Sequence, residues 1–481
     1  MEHNFHTLHG ALHRIVVADI DFVEVDGAAH FVEIALKSSK QIVDNDNLAG
    51  ALVEKATDKR GTDETRPAGD KKISLAQTSI VASEACEPAC QDGRNVDTAR
   101  TPSNTVQVFR KGMDRVHGGH PWIFRSDVQD IGKASPGEIV RVAGPKGEHL
   151  GFAYFSSSSQ IALRMLPDRT YGESIEIAQQ FREQIVTDSD SYRLVHAEAD
   201  FMPALIIDRY ADCFAVQALN QGMDRALPEI VAELERQFSP RAIVARNDSA
   251  VRTLEELPRE VRVVSGELDE PVAIHMNGFK LEVDLLQGQK TGVYLDQREN
   301  YLAVARFASG RALDCFTSTG GFALHLARTC EHVEAVDSSA GALATAKRNA
   351  TVNDLSNIDF READAFELLS GYASARRHFD VVVLDPPAFA KNRKQLDGAM
   401  RGYKDINLRA LRLLSPGGIL VTNSCSHHMS EQMLMEIAAE ASLDAGKTLR
   451  VLDRRTQAQD HPILLTVPET LYLKCLILQV T

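Results

Sequence analysis

A chain of 481 residues exceeds one ordinary domain and has length for about three, each with its own core. Its 44% hydrophobic and 25% charged residues are those of a globular protein, and no run approaches the ~20 consecutive apolar residues of a membrane-spanning helix. Fifty-three Lys and Arg against 67 Asp and Glu leave a formal charge of −14, which excludes a chain that is basic throughout but not one that meets a polyanion through a local patch.

Residues 1–104 read as a separate region with no assigned role. Within it, 15–36 carries β-branched residues suited to a short hairpin, whereas 48–105 is rich in Asp, Lys, Thr, Gly and Ala without periodic hydrophobicity, the composition of a disordered segment. Cys86 and Cys90 have no second Cys or His pair nearby, so no metal site is read from them. The start of the chain lacks the apolar core of a secretory signal and the Arg-rich, acid-poor character of a transit peptide, which makes the cytoplasm the expected compartment. Seven Cys without a regular framework, with Cys213, Cys315, Cys330 and Cys475 inside apolar segments, point to reduced thiols.

From Val106 the character changes. Short β-branched or alternating runs at 106–109, 138–142, 150–155 and 161–165 are separated by Gly and Pro, which predicts a small β-rich domain over 105–172. Arg110, Lys111, Arg115, Arg125, Lys133, Arg141, Lys146 and Arg164 outnumber its acids, and Trp122 follows His120 and Pro121. Two readings are open here: a solvated surface around a core Trp, or an RNA-binding face. Residues 173–284 mix patterns, with amphipathic helices at 177–185 and 226–238 and strands at 204–207, 214–218 and 242–244, an α+β segment. Asn247, Asp248 and Ser249 are expected to cap a helix over 250–257.

The last third, 285–481, alternates buried strands (312–314, 332–337, 358–362, 379–384, 418–422 and 471–479) with helices, as in a doubly wound parallel sheet that binds ligands at the carboxyl ends of its strands. Asp314, Cys315, Phe316, Thr317, Ser318, Thr319, Gly320, Gly321 places a carboxylate at one strand end and glycines at the start of a helix, where backbone can approach a ligand. Asp337 ends the next strand, placed for ribose hydroxyls, and Asp364 follows the third, placed for an adenine amino group. Acidic residues at successive strand ends without G-x-G-x-x-G disfavour a dinucleotide and point to S-adenosylmethionine.

Two later clusters carry the chemistry. Asp385, Pro386, Pro387, Ala388, Phe389 can hold a planar base between a carboxylate and an aromatic ring, and Asn423, Ser424, Cys425, Ser426, one strand later, offers a thiol able to attack that base. Together they describe a nucleic-acid base methyltransferase. Taken alone, a Cys after a buried strand is more often a core residue.

From Val106 onward the chain resembles the ribosomal RNA large-subunit methyltransferase I family, which makes 5-methylcytosine in 23S rRNA. The resemblance rests on the stretch Gly288 to Asn300 (including Gln297), the Asp314 to Phe322 turn, Asp385 to Phe389, Arg401 to Asn407, and Ser424, Cys425, Ser426. His461, Pro462 and Tyr472, Leu473, Lys474 also match. It implies a PUA domain carrying Gly119 to Phe124, a middle domain and a Rossmann-like methyltransferase domain, and it admits a homodimer. It further implies Cys425 as nucleophile on carbon 6, Asp385 on nitrogen 3 and Phe389 stacked on the flipped base. Lys290, Thr291, Gly292 and Arg298 become cofactor or target contacts, against the alternative of a structured turn with salt bridges. Lys391, Arg393, Lys394, Arg401 and Lys404 are read either as phosphate contacts or as an ordinary solvated loop. The expected partner is 23S rRNA or its large-subunit precursor, with no membrane and no metal. Three rival readings stay open: methylation of an adenine or guanine amine, methylation of a guanine ring nitrogen, and an RNA-binding assembly factor without turnover.

Overall fold

The computed structural model describes residues 17–22, 34–41, 102–288, 293–389 and 395–481. The first unit, Met1–Gly93, contains an antiparallel pair, Val17–Phe22 with Ile34–Gln41. Of the disorder expected over 48–105, the part at 48–101, and Cys86 and Cys90 with it, lies outside the described residues, and Thr105 already opens a strand. The second unit, Arg94–Thr481, holds everything below.

Its first sheet is six-stranded, in the order Trp122–Phe124, Ile161–Leu166, His149–Phe155, Ile139–Ala143, Thr105–Val108, Val128–Asp130. The strands put alternate residues inside, as the period of two requires: Val106 and Val108, then Val140 and Val142, meet Ile123, Ala153, Phe155 and Leu163 in one core. Trp122 is neither wholly core nor a free stacking surface. Its Nε1 donates to Glu198 Oε1 at 2.7 Å, Arg164 lies over its ring at 5.3 Å, and Arg164 pairs with the same Glu198 at 2.8 Å. The tryptophan thereby ties this sheet to the next layer.

That layer is a five-stranded sheet, Glu260–Gly266, Ala242–Asn247, Cys213–Ala218, Leu205–Tyr210, Ser191–His196, accompanied by helices Tyr171–Ile185 and Gln221–Phe238. Thr170 and Glu173 form a reciprocal capping box on the first helix, which starts it six residues ahead of the amphipathic stretch. The expected cap by Asn247 to Ser249 is not formed. The helix there is Val251–Leu254, without a side-chain cap, and the fully buried Asn247 accepts from the Ala218 amide at 2.9 Å, pinning two neighbouring strands. A hairpin, Val272–Met276 with Phe279–Val283, leads into the last sheet.

The last sheet has seven strands, numbered here within it: β1 Arg311–Cys315, β2 His332–Asp337, β3 Ile358–Glu362, β4 Phe379–Leu384, β5 Leu414–Ser424, β6 Leu449–Arg455 and β7 Lys474–Val480. Their order is β3-β2-β1-β4-β5-β7-β6, parallel through β5, with β7 antiparallel to both of its neighbours. Both faces are covered, so consecutive residues enter different cores: Ala312, Val381 and Val383 one, Leu313, Cys315, Val382 and Leu384 the other. The order reverses between β1 and β4, and that switch opens a crevice at the carboxyl ends of the strands. Helices α1 Gly321–Ala327, α2 Ala340–Val352, α3 Ala365–Ser374, α4 Leu396–Leu413 and α5 Glu431–Asp444 follow β1 to β5 in turn.

Candidate active site

The turn after β1 is held in an unusual backbone. Phe316 and Ser318, both with side chains, adopt φ of 66° and 50°, and Gly320 follows at 93°. Such left-handed positions cost energy and persist where the surroundings fix them. Asp337 at the end of β2 does the fixing: Oδ2 accepts from the Ser318 amide and Oδ1 from the Ser339 amide, each at 2.9 Å. A carboxylate oxygen has lone pairs beyond one bond, so Asp337 can still receive hydroxyls. Gly321 also makes room for a neighbour, since a Cβ there would lie 2.3 Å from the Tyr301 ring carbon Cζ. Thr319 accepts from Asn349 through its carbonyl at 3.3 Å.

Asp314 is fully buried. Thr317 Oγ1 donates to its Oδ2 at 2.6 Å, and its Oδ1 has no partner. Burial pushes its carboxyl up to about 7, the Thr317 bond opposes this, and the charges of Asp385 and Asp337 add to it. Asp364 caps α3, with Oδ1 accepting from the Phe366 and Glu367 amides at 2.9 and 3.0 Å. The capping role of that third acid is therefore present in the structure.

Asp385 and Cys425 come from adjacent parallel strands. Leu384 and Thr422 are register partners, so Asp385, just past β4, lies beside Asn423 near the end of β5, with Cys425 two residues on. Asn423 is buried and donates to the Leu384 carbonyl at 3.1 Å, while its Oδ1 has no partner. Gln297, itself buried, donates to Asp385 Oδ2 at 3.1 Å. Phe389 is half-buried, its ring 4.6 Å from Tyr403 and 6.0 Å from Phe366, and a Cβ at Gly402 would come within 3.3 Å of it. Tyr403, fully buried, accepts from Ser424 Oγ at 2.9 Å. Burial pushes its phenol above the ordinary range, Ser424 and Ser426 oppose this through hydrogen bonds, and Cys425 and Asp385 both add to the rise. One phenol thus feels the proposed thiol and the proposed carboxylate together.

Cys425 is the half-exposed thiol among the described cysteines, whereas Cys213, Cys315, Cys330 and Cys475 are buried. Burial pushes the Cys315 thiol well up and that of Cys475 beyond the usual range, which leaves them inert. Lys290 and Thr291, like Lys391, Arg393 and Lys394, lie outside the described residues. Arg298 follows the salt-bridge reading: it is buried and pairs with Asp460 at 3.3 Å. Lys404 is engaged by Glu440 and Asp444 at 3.2 and 3.0 Å on α5, so its ammonium is not held out for phosphate.

Sequence reasoning gave no role to Gln297, Tyr403 or Lys474, because their positions at the site depend on elements far apart in the chain. Their presence in motifs of the resemblance was the available signal. Three buried polar atoms without partners, Asp314 Oδ1, Ser318 Oγ and Asn423 Oδ1, belong to the ends of β1 and β5 and the turn between β1 and α1. Unsatisfied groups of this kind are expensive in a finished core and fit a polar ligand at the switch point. Among the described residues no cluster suits a metal ion, and no helix is long and apolar enough to cross a membrane.

This sheet order, with acids at its strand ends and an Asp-Pro-Pro-Ala-Phe loop beside the crevice, defines an S-adenosylmethionine-dependent methyltransferase. Residues 249–471 match the family described as S-adenosylmethionine-dependent methyltransferase, and residues 106–167 match the PUA-like domain. The crystal structure of SMU.776 complexed with SAH shares the fold, with a TM-score of 0.68 at 18% identity over 78% of this chain and 100% of that one. The chain is 41% identical to the ribosomal RNA large subunit methyltransferase I of Shewanella denitrificans over 75% of its own length and 95% of that protein. To the protein of the same name from Shewanella amazonensis it is 42% identical, over 77% and 97%. The chain belongs to the ribosomal RNA large subunit methyltransferase I family.

Proposed function

We propose that the protein methylates carbon 5 of a cytosine in 23S ribosomal RNA, with Cys425 as a covalent nucleophile. The relatives' name supports the RNA class, and the observation that carries the chemistry is the emergence of Asp385, Phe389 and Cys425 from adjacent strand ends. S-adenosylmethionine supplies an electrophilic methyl group. Asp337 would take its ribose hydroxyls, Asp364 its adenine amine, and Asp314, Phe316, Thr319, Gly320 and Gly321 the turn around it, with Lys290 and Thr291 as further contacts. In this reading residues 105–172 bind RNA, 173–284 form the middle domain and 285–481 carry catalysis. The protein works in the cytoplasm in this reading, and the family resemblance admits a homodimer.

Carbon 5 of cytosine is too weak a nucleophile unaided. The Cys425 thiolate forms a bond to carbon 6, and the displaced electron pair makes carbon 5 nucleophilic. Asp385 in its acid form donates a hydrogen bond or its proton to the ring at nitrogen 3, where negative charge develops, and Phe389 holds the flipped base by stacking. Once carbon 5 carries the methyl group, loss of its proton returns the electron pair and expels the thiolate.

The test is transfer of labelled methyl to large-subunit rRNA from a strain lacking this gene, comparing native protein with Cys425→Ala and identifying the nucleoside by mass. Expected is 5-methylcytosine with the native protein and none with the variant. Methylation that survives in Cys425→Ala sinks the covalent reading and turns attention to an amine or ring nitrogen.

A further inference from the structure

We propose that Lys474 is the positioning residue that keeps Cys425 a reactive thiolate, its buried ammonium serving as counter-ion to the sulfur. The inference rests on the reading of Cys425 as nucleophile. Lys474 opens β7 and is the register partner of Ser424, the last residue of β5. Its Nζ donates to the Ser426 carbonyl at 2.7 Å and the Tyr472 carbonyl at 2.9 Å, so it clasps the turn that carries Cys425. The residue is only 3% exposed.

A buried ammonium is costly unless a negative group answers it. Among the described residues no carboxylate forms an ion pair with Lys474, and two carbonyl dipoles account for two of its three N–H groups. Burial lowers its ammonium to about 8, and the Cys425 sulfur pulls it back upward. The other titratable groups around the turn do not supply the charge. His427 is pushed down by burial, then by Lys474 and His428, with Glu469 opposing, and stays neutral at pH 7. Tyr403, on α4, is pushed above its ordinary range and stays protonated. Asp385, at the end of β4, accepts from Gln297. Cys425 is the group whose ionisation near neutral pH would neutralise Lys474.

The linkage adds no covalent step. The thiol proton leaves to solvent or to the neutral fraction of the amine, and the electron pair stays on sulfur beside the ammonium. When the thiolate is expelled from carbon 6 at the end of the reaction, the same cation receives it.

The experiment is the pH dependence of Cys425 alkylation by iodoacetamide in the full-length protein, followed by mass of the peptide that carries Cys425 so that other thiols do not interfere. Expected for the native protein is an apparent pKa at least one unit below the ~8.5 of an ordinary thiol. Lys474→Met should raise it by a unit or more, with roughly tenfold slower alkylation at pH 7, and Lys474→Arg should retain the native profile. An unchanged profile in folded Lys474→Met overturns the proposal. If Lys474→Met does not fold, the native profile decides, because an apparent pKa at or above ~8.5 overturns it without any variant. Alkylation requires neither RNA nor turnover. A Cys425 that proves dispensable for methylation would therefore refute the nucleophile and leave the thiolate result intact, and the converse also holds.

Discussion

Gln297 Nε2 donates to Asp385 Oδ2 at 3.1 Å, and the amide is oriented from behind: Asn300 Nδ2 donates to Gln297 Oε1 at 2.7 Å, and Arg455 Nε donates to Asn300 Oδ1 at 2.9 Å. The relay starts on the edge strand β6, passes through the segment before β1, and ends on the carboxylate assigned to the base. Because Gln297 Oε1 already accepts, its amide nitrogen is the end that faces Asp385, which holds one oxygen of the carboxyl assigned to the base. Gln297→Leu should lower kcat by roughly 10- to 100-fold through misplacement of Asp385, with the Kd for S-adenosylmethionine changed far less. Gln297→Glu would set two carboxyls at hydrogen-bond distance that cannot both ionise easily, so the acid form of Asp385 should persist and the alkaline fall in activity should move to higher pH than the native enzyme's. Superimposable pH profiles for Gln297→Glu and native protein would remove this role.

Asp314 offers a test of the electrostatics at the switch point. A carboxyl near 3.9 in the unfolded chain and about 7 in the fold keeps a proton that the unfolded chain has already lost. Its contribution is fully present below pH ~4 and is lost as pH rises through about 7, a change on the order of 4 kcal/mol at most. Asp314→Asn keeps an acceptor for Thr317 and removes the titration. Without cofactor, its thermal midpoint should gain on the native protein's between pH 4.5 and 8. Two curves that stay parallel over that window would show that Asp314 titrates normally.

The central strands of the methyltransferase sheet were legible because they are covered on both faces and read as continuous apolar runs ending in Asp314, Asp337 or the residue before Asp385. The strands His332–Asp337, Ile358–Glu362 and Phe379–Leu384 fall where the pattern puts them. Strand β6 escaped, since Leu449–Arg455 lies at the sheet edge, is largely exposed and reads as a charged loop. Local signals also misplace partners. Asn247 looks like a cap and bridges strands, because it answers to Ala218, a residue distant in sequence. The same limit hid the roles of Gln297 and Lys474, whose partners Asp385 and Ser426 lie 88 and 48 residues away.

A second buried polar cluster, away from the thiol, holds the middle layer to the last sheet. Asp460 is fully buried, accepts from the Arg193 amide at 2.9 Å and pairs with Arg298 at 3.3 Å and His461 at 3.2 Å, while its carbonyl accepts from Arg182 at 2.9 Å. Burial alone would raise its carboxyl, but His461 and Arg298 beside it hold it well below the ordinary range. Its stabilisation is therefore present above pH ~4 and lost as pH falls further. Asp460→Ala leaves the buried Arg298 with only its longer pair to Glu299 at 3.6 Å and strips the Arg193 amide of its acceptor, and it should cost about 3 kcal/mol, read as a drop of several degrees in thermal midpoint at pH 7. Arg454→Ala, which breaks a surface pair with Glu431, should leave the midpoint unchanged. Equal effects from the two variants would deny the buried cluster its structural role.

The covalent step can be caught directly. If the Cys425 thiolate adds to carbon 6 and carbon 5 then takes a methyl group, only loss of the carbon 5 proton lets the thiolate leave. A fluorine at carbon 5 cannot depart as a cation, so rRNA containing 5-fluorocytosine should stop at the adduct. Native protein with S-adenosylmethionine should give a protein–RNA complex that survives denaturing electrophoresis, and Cys425→Ala should give none. Asp385→Asn, which keeps a hydrogen-bonding group but loses the carboxylate, should form the adduct at least tenfold more slowly. Lys474→Met should slow it at pH 7 and recover part of the rate at pH 9, where Cys425 ionises without help. A native enzyme that methylates ordinary RNA yet traps nothing on the fluorinated substrate would show that methyl transfer does not pass through a sulfur–carbon 6 bond, whatever the thiol's reactivity.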